Sequence, residues 1–219
     1  MIPLRDAVRS RTFPFVNYLF IALNIGVFLF EYSLKGFSND FVSRFGLTPA
    51  LWLDDVRAMH VHAAIPLFTS MFMHGGWMHL LGNMLFLFIF GDNVEDAFGH
   101  FRYLIFYVLV GFAAAFTQIY FNAASEIPMV GASGAIAGIL GAYLFLYPRA
   151  KIKTFVPLIF IFFKIIDLPA YLFLGIWFIL QVISGIMGLG IAGDAGGVAW
   201  WAHIGGFVAG AISFSFFRK

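Results

Sequence analysis

Three short groups of polar residues interrupt long apolar stretches of this sequence. They are Gly131-Ala132-Ser133-Gly134, Ala202-His203-Ile204-Gly205-Gly206 and the stretch from His74 to Asn83. A serine hydroxyl is a poor nucleophile until a base takes its proton, and histidine is the usual base. These residue types therefore predict that Ser133 is a nucleophile and that His203 is its general base.

The residues around this pair predict stabilisation of a developing oxyanion. Ser133 lies in the first turn of a predicted helix, where free backbone amides and the positive end of the helix dipole favour negative charge. His79 and Asn83 stand four residues apart, so they share one helix face and can donate hydrogen bonds to the same oxygen. Because the sequence offers no obvious carboxylate for a triad, we predict a Ser–His dyad.

The elements that must position these residues are membrane helices. Hydrophobic residues make up 62% of the chain and charged residues 11%, with a mean hydropathy of +0.92. A soluble domain needs about a quarter of its residues charged. The net charge of +2 is spread among loops and does not indicate a nucleic-acid surface, and the absence of cysteine excludes disulfides and thiolate chemistry.

Apolar runs between charged or Gly/Pro residues predict an all-α bundle of six transmembrane helices in one domain, residues 1–219. The first run is expected to be a retained span rather than a signal peptide. The connection 34–77 is expected to fold on the membrane surface, and the ten residues Thr154–Phe163 are too short to cross, so they are predicted to be interfacial or re-entrant. The predicted spans are 14–33, 78–96, 101–121, 131–148, 168–187 and 198–217.

The positive residues predict the orientation of the bundle. With both termini on one side, that side holds nine of the 13 Lys and Arg residues and the other side holds three, with Lys164 unassigned. The positive-inside rule then places both termini in the cytoplasm. The second, fourth and sixth helices all run inward, so the three polar groups lie at a similar depth near the outer surface.

Small residues predict close packing of the fourth and sixth helices. Glycines spaced three or four residues apart let two helix backbones approach one another in a membrane. This approach would bring Ser133 within hydrogen-bonding distance of His203. The glycines concerned are Gly134, Gly138 and Gly141 on the fourth helix, and Gly206 and Gly210 on the sixth.

Taken together, these motifs resemble those of the rhomboid family of intramembrane serine proteases. The resemblance covers about residues 66–217 and is carried by four motifs: Gly131-x-Ser133-Gly134, Ala202-His203-x-x-Gly206, His74-x4-His79-x3-Asn83 and Gly91-x3-Glu95-x3-Gly99. It implies a bacterial-type core of six helices. It also implies a dyad of Ser133 and His203, an oxyanion hole of His79, Asn83 and the Ser133 amide, and structural roles for Gly131 and Glu95.

The resemblance further implies the setting in which the protein works. The expected substrates are single-span membrane proteins in the lipid bilayer, no metal or organic cofactor is required, and the expected location is the bacterial inner (plasma) membrane. The oligomeric state stays open. Two positions depart from a pattern found in some members: Trp52 and Arg57 are not adjacent, and Ala137 replaces an aromatic residue that would lie under the His203 ring.

Other readings of the sequence stay open or are disfavoured. A transporter, or a pseudoprotease that only binds membrane helices, is the main alternative to an enzyme. An intramembrane metalloprotease would need His-Glu-x-x-His, which the sequence lacks. Zinc binding by His60, His62 and His74 is less favoured than ordinary loop roles. The fifth helix and the loop 188–197 are candidates for a moving gate.

Overall fold

The computed structural model describes residues 1–34, 38–159, 162–188 and 198–219, and most of them are helical. A small sheet lies at one end of the helix bundle. Three-residue 3₁₀ turns flank α4. The elements in chain order are β1 (Ile2–Asp6), α1 (Phe15–Ser33), α2 (Ser38–Phe45), α3 (Pro49–Arg57), α4 (Ala64–Thr69), α5 (Trp77–Phe98), α6 (His100–Phe121), α7 (Ser133–Leu146), β2 (Lys151–Ile159), β3 (Phe162–Pro169), α8 (Ala170–Gly188) and α9 (Trp200–Phe217).

Six of these helices correspond to the predicted spans. In the described residues, α1, α6, α8 and α9 are each long and apolar enough to cross a membrane, and α5 meets the same test together with the preceding helical segment Val61–Phe72, from which it bends by 81°. The predicted ends differ from the observed ends by at most two residues. The prediction of a helical, multi-pass membrane protein is therefore confirmed.

Helix α7 is shorter than its predicted span and lies at the centre of the bundle. Ten of its 14 residues, from Gly134 to Tyr143, are buried without interruption. Fourteen residues rise about 21 Å, less than the roughly 30 Å of a hydrocarbon core. Because other helices surround α7, its ends do not need to reach both membrane surfaces.

The segment that follows α7 forms part of a sheet. Strands β2 and β3 pair antiparallel, with Lys153 opposite Asp167, and β1 pairs antiparallel with the other edge of β2. Ile152 and Thr154 of β2 are fully buried. The segment predicted to be too short to cross thus contributes to two antiparallel strands. Strand pairing satisfies the backbone of a stretch that is too short to cross as a helix.

Both termini lie at the end of the bundle where α5 meets α6. The backbone amide of Lys219 donates to the Ala97 carbonyl at 3.0 Å, and the Thr12 hydroxyl donates to Asp96 at 2.6 Å. Glu95 is completely buried beside them, accepting the amides of Val16 and Asn17 at 2.9 and 2.7 Å. A carboxylate at the start of α1 satisfies amides that the helix leaves unpaired. Glu95 therefore joins α5 to the first turn of α1.

The connection between α1 and α5 folds against α6 at the other end of the bundle. The indole of Trp52 donates to the Ala63 carbonyl at 2.9 Å, and its ring centroid lies 5.8 Å from that of Phe116. Arg57 instead forms an exposed ion pair with Asp54 at 3.0 Å. Trp52 thus braces the connection, whereas Arg57 bonds within α3.

Candidate active site

Ser133 is the first residue of α7, and the loop before it has a specific backbone shape. Gly131 has a φ of +134°, in the region that favours glycine, and its amide donates to the Ser70 carbonyl at 2.8 Å. A Cβ at Gly131 would lie 2.8 Å from Nε2 of His79. The absence of a side chain at Gly131 therefore leaves room for the His79 ring beside Ser133. The amides of the first turn of α7 have no acceptor within their own helix.

Ser133 and His203 meet between α7 and α9. The Ser133 Oγ lies 2.8 Å from the His203 Nε2. The helices can approach closely because glycine has no side chain at the contact. A Cβ at Gly206 would lie only 2.0 Å from the Gly134 carbonyl oxygen, and one at Gly210 only 1.9 Å from that of Gly138. The structure thus brings together Ser133, His203 and the predicted small faces.

His79 and Asn83 line the same cavity as Ser133 and His203. This cavity has a volume of about 270 Å³ and lies among α5, α7, α8 and α9. The side chains of Asn83 and His74 lie 2.9 Å apart, Nδ2 to Nε2. Since an amide nitrogen can only donate, the bond runs from Asn83 to His74. His74 therefore holds Asn83 on the cavity wall.

The second nitrogen of His203 has a partner that the sequence did not reveal. The His203 Nδ1 lies 2.8 Å from the Oε1 of Gln181 on α8. The rings of Trp177 and Trp200 flank the imidazole, with centroids 6.0 and 6.1 Å away. Ala137 is fully buried in α7, and the aromatic rings beside the imidazole come from α8 and α9 instead.

A second buried glutamine supports the start of α9. The Oε1 of Gln118, on α6, accepts the amide of Ala202 at 3.2 Å. Both Gln118 and Gln181 interrupt apolar helices, and polar residues in membrane spans are costly and usually functional. That signal could have identified both residues from the sequence.

Glu95 and the predicted gate differ in their position relative to the cavity. Glu95 stands at the end of the bundle that holds the termini. Of the predicted gate, α8 lines the cavity through Trp177 and Gln181, whereas residues 189–197 lie outside the described part of the chain.

The histidines of the connection between α1 and α5 separate into two groups. Asp55 bonds the Nδ1 of His60 at 2.9 Å and lies 3.4 Å from the Nε2 of His62. The hydrogen bond from His60 holds the pKa of Asp55 below its ordinary value. The potential ligand atoms of the three side chains lie within 4.8 Å of one another, and their mutual contacts account for this spacing. His74 belongs to the other group, beside Asn83.

This arrangement can perform one kind of chemistry. A hydroxyl within hydrogen-bonding distance of an imidazole can be deprotonated as it attacks an electrophilic carbon. Amides at a helix start, with His79 and Asn83 nearby, can hold the negative charge that develops. The fold and the site therefore define a multi-pass membrane protein with a serine–histidine pair facing a cavity between its helices.

Comparison with known proteins identifies the family of this class. The Rhomboid domain family matches residues 61–219, so the chain belongs to the rhomboid family. The putative rhomboid protease YdcA of Bacillus subtilis is 31% identical over 140 residues, which cover 62% of this chain and 64% of YdcA. The rhomboid protease GluP of the same organism is 33% identical over 133 residues, covering 60% and 24%.

Plant proteins of the same family are also similar. RHOMBOID-like protein 1 of Arabidopsis thaliana is 40% identical over 92 residues, which cover 42% of this chain. The match spans only 23% of that protein and 25% of RHOMBOID-like protein 5. The matched part of the chain thus spans about a quarter of the length of these plant relatives.

Proposed function

We propose that this protein is an intramembrane serine endopeptidase. The observation that carries the proposal is the 2.8 Å contact between the Ser133 Oγ and the His203 Nε2, placed on a cavity between membrane helices. The named rhomboid proteases among its relatives support the same activity.

The proposed reaction uses the Ser133 hydroxyl and the His203 imidazole. The Ser133 Oγ attacks the scissile carbonyl carbon while the His203 Nε2 takes its proton. The Ser133 amide, His79 and Asn83 stabilise the oxyanion of the tetrahedral intermediate. His203 then protonates the leaving amine as the C–N bond breaks, which leaves an acyl-enzyme. Water, activated by His203, hydrolyses the ester and regenerates Ser133.

The proposed substrates are membrane proteins with a single span. A peptide bond within a helix is shielded by its hydrogen bonds, so the segment must unwind to reach Ser133. The cavity is bounded by α5 on one side and α8 on the other, and the rings of Phe86 and Phe173 join these helices with centroids 6.4 Å apart. We propose that the unwound segment enters between α5 and α8, beyond this contact, with α8 as the moving element.

The proposed orientation places both termini in the cytoplasm of a bacterial cell. The excess of positive residues on the side of the termini supports it, as does the position of both termini at one end of the bundle. The dyad then acts near the outer surface of the cell membrane.

The decisive experiment compares purified wild type, Ser133→Ala and His203→Ala in detergent with a model transmembrane substrate. We expect either substitution to reduce cleavage by about 10⁴-fold or more, because each removes a reacting group. A fluorophosphonate probe should label wild type and not Ser133→Ala. The matched control is Ser213→Ala, since the Ser213 hydroxyl bonds to the Ala209 carbonyl of its own helix at 2.7 Å. Cleavage that survives in Ser133→Ala would show that the protein is not a Ser133 protease.

A second substitution tests the oxyanion site. Asn83→Ala should lower kcat by about 100-fold, because one donor to the oxyanion is lost. The KM should change little, since this bond forms fully only as the charge develops. Steady-state kinetics on the same substrate measure both constants. An unchanged kcat in folded protein would remove Asn83 from the oxyanion site.

A further inference from the structure

The amide of Gln181 is held in one orientation. Its Nε2 donates to the Trp177 carbonyl oxygen, one helical turn earlier, at 3.3 Å. A carbonyl can only accept a hydrogen bond, so the nitrogen of the amide must face it. The Oε1 therefore faces His203, at 2.8 Å from Nδ1. With 7% of its surface exposed, Gln181 has little access to competing water.

This orientation determines which nitrogen of His203 carries the proton. The Oε1 of Gln181 is an acceptor, so the Nδ1 of His203 must be a donor. In the neutral imidazole the other nitrogen, Nε2, then has a free lone pair. That lone pair is directed at the Ser133 hydroxyl, 2.8 Å away. The chain of bonds from the Trp177 carbonyl to Ser133 thus selects the tautomer that can act as a base.

A neutral amide suits this environment better than a carboxylate would. A buried charge needs partners that compensate for lost hydration, whereas an amide needs only hydrogen bonds. Among the described residues that line the cavity, His79 on α5 is the other titratable group, and those from α7 and α8 are uncharged. Gln181 therefore orients His203 without adding charge to the site.

We propose that Gln181 is a positioning residue that holds His203 in the Nδ1-protonated tautomer and fixes its ring toward Ser133. The role rests on the proposed protease function. Because Gln181 belongs to α8 while Ser133 and His203 belong to α7 and α9, the base is oriented only when α8 is seated against α9.

The first test removes the acceptor while keeping side-chain bulk. Gln181→Leu should lower kcat and the rate of fluorophosphonate labelling by about tenfold or more, because the buried Nδ1–H loses its partner. The KM should stay within about twofold, since Gln181 acts through His203 rather than on bound substrate. Gln118→Leu is the matched control, because it removes a buried amide that bonds to the Ala202 backbone and not to the imidazole. Unchanged kcat and labelling in folded Gln181→Leu would overturn the proposal.

The second test exchanges the amide for a carboxylate. A carboxylate at Nδ1 favours the imidazolium form, so the neutral base persists only at higher pH. Gln181→Glu should therefore retain activity and move the acidic limb of its kcat/KM profile to higher pH, by about one unit. A purely structural role for Gln181 would leave this limb in place, as we expect for Gln118→Leu. Superimposable profiles of Gln181→Glu and wild type would contradict the proposal.

A third measurement does not depend on catalysis. Nitrogen NMR of ¹⁵N-histidine-labelled protein in micelles distinguishes the two neutral tautomers, and a His203→Ala spectrum assigns the signal. Wild type should show the Nδ1-protonated form, and Gln181→Leu should show a mixture. Identical His203 signals in the two proteins would overturn the positioning role. Cleavage by Ser133→Ala would instead overturn the protease function while leaving the tautomer result intact.

Discussion

Helix α9 packs against two neighbours in different ways. Against α7 it packs backbone on backbone, so that Cβ atoms added at Gly206 and Gly210 would lie only 2.0 and 1.9 Å from carbonyl oxygens of α7. Against α8 it packs through large side chains, as in the stacked rings of Phe178 and Phe207 with centroids 4.5 Å apart. The first interface holds Ser133 and His203. The second holds Gln181, whose Oε1 lies 2.8 Å from the His203 Nδ1.

From this difference we infer that the Ser133–His203 pair is held at a fixed distance, whereas α8 forms an adjustable wall of the cavity. Lipid tails are as apolar as leucine, so helices in a bilayer associate mainly through close contact. Interlocked backbones leave no room for displacement, which fixes the distance from Ser133 to His203. Because aromatic side chains can repack by changing rotamer, we expect α8 to move at a smaller energetic cost than α7. Gln181 connects the adjustable wall to the fixed pair.

The largest effect is expected from breaking the backbone interface. The Cβ of Gly210→Ala would overlap the Gly138 carbonyl, and the rigid backbone would have to separate. Overpacking of this kind costs about 1–3 kcal/mol of the free energy of unfolding, occasionally more. It should also slow fluorophosphonate labelling of Ser133, because His203 moves away from Ser133. Thermal unfolding in detergent and labelling rates measure the two effects. Wild-type values for both would show that this interface tolerates separation.

The smallest effect is expected from the same substitution on α8. In the described part of the chain, a Cβ at Gly175 would meet no atom within 4 Å. Gly175→Ala should leave labelling unchanged and raise the free energy of unfolding by up to about 1 kcal/mol, because alanine favours a helix more than glycine does. It serves as the control for Gly210→Ala. Equal losses of stability in both variants would contradict the distinction between the two interfaces.

The helices could be predicted closely because the bilayer sets their length and composition. The predicted first span, 14–33, and the observed α1 differ by one residue. The sheet was not predicted, since β1 and β2 are about 150 residues apart and nothing local in either segment indicates its partner. The same applies to Gln181, which lies 22 residues before His203 in the sequence. Its polarity marks it as unusual, but the direction of its side chain depends on the rotation of α8.

The sequence by itself determined that the chain crosses a membrane, where its helices begin and end, and which serine and histidine could react. These properties follow from local composition, from glycine spacing and from the chemistry of single side chains. Only the tertiary structure decided the partner of the His203 Nδ1, because three helices must pack before Gln181, His203 and Ser133 line up. Hydrogen bonds act over about 3 Å, so a line of such bonds depends on helix positions that no local pattern specifies.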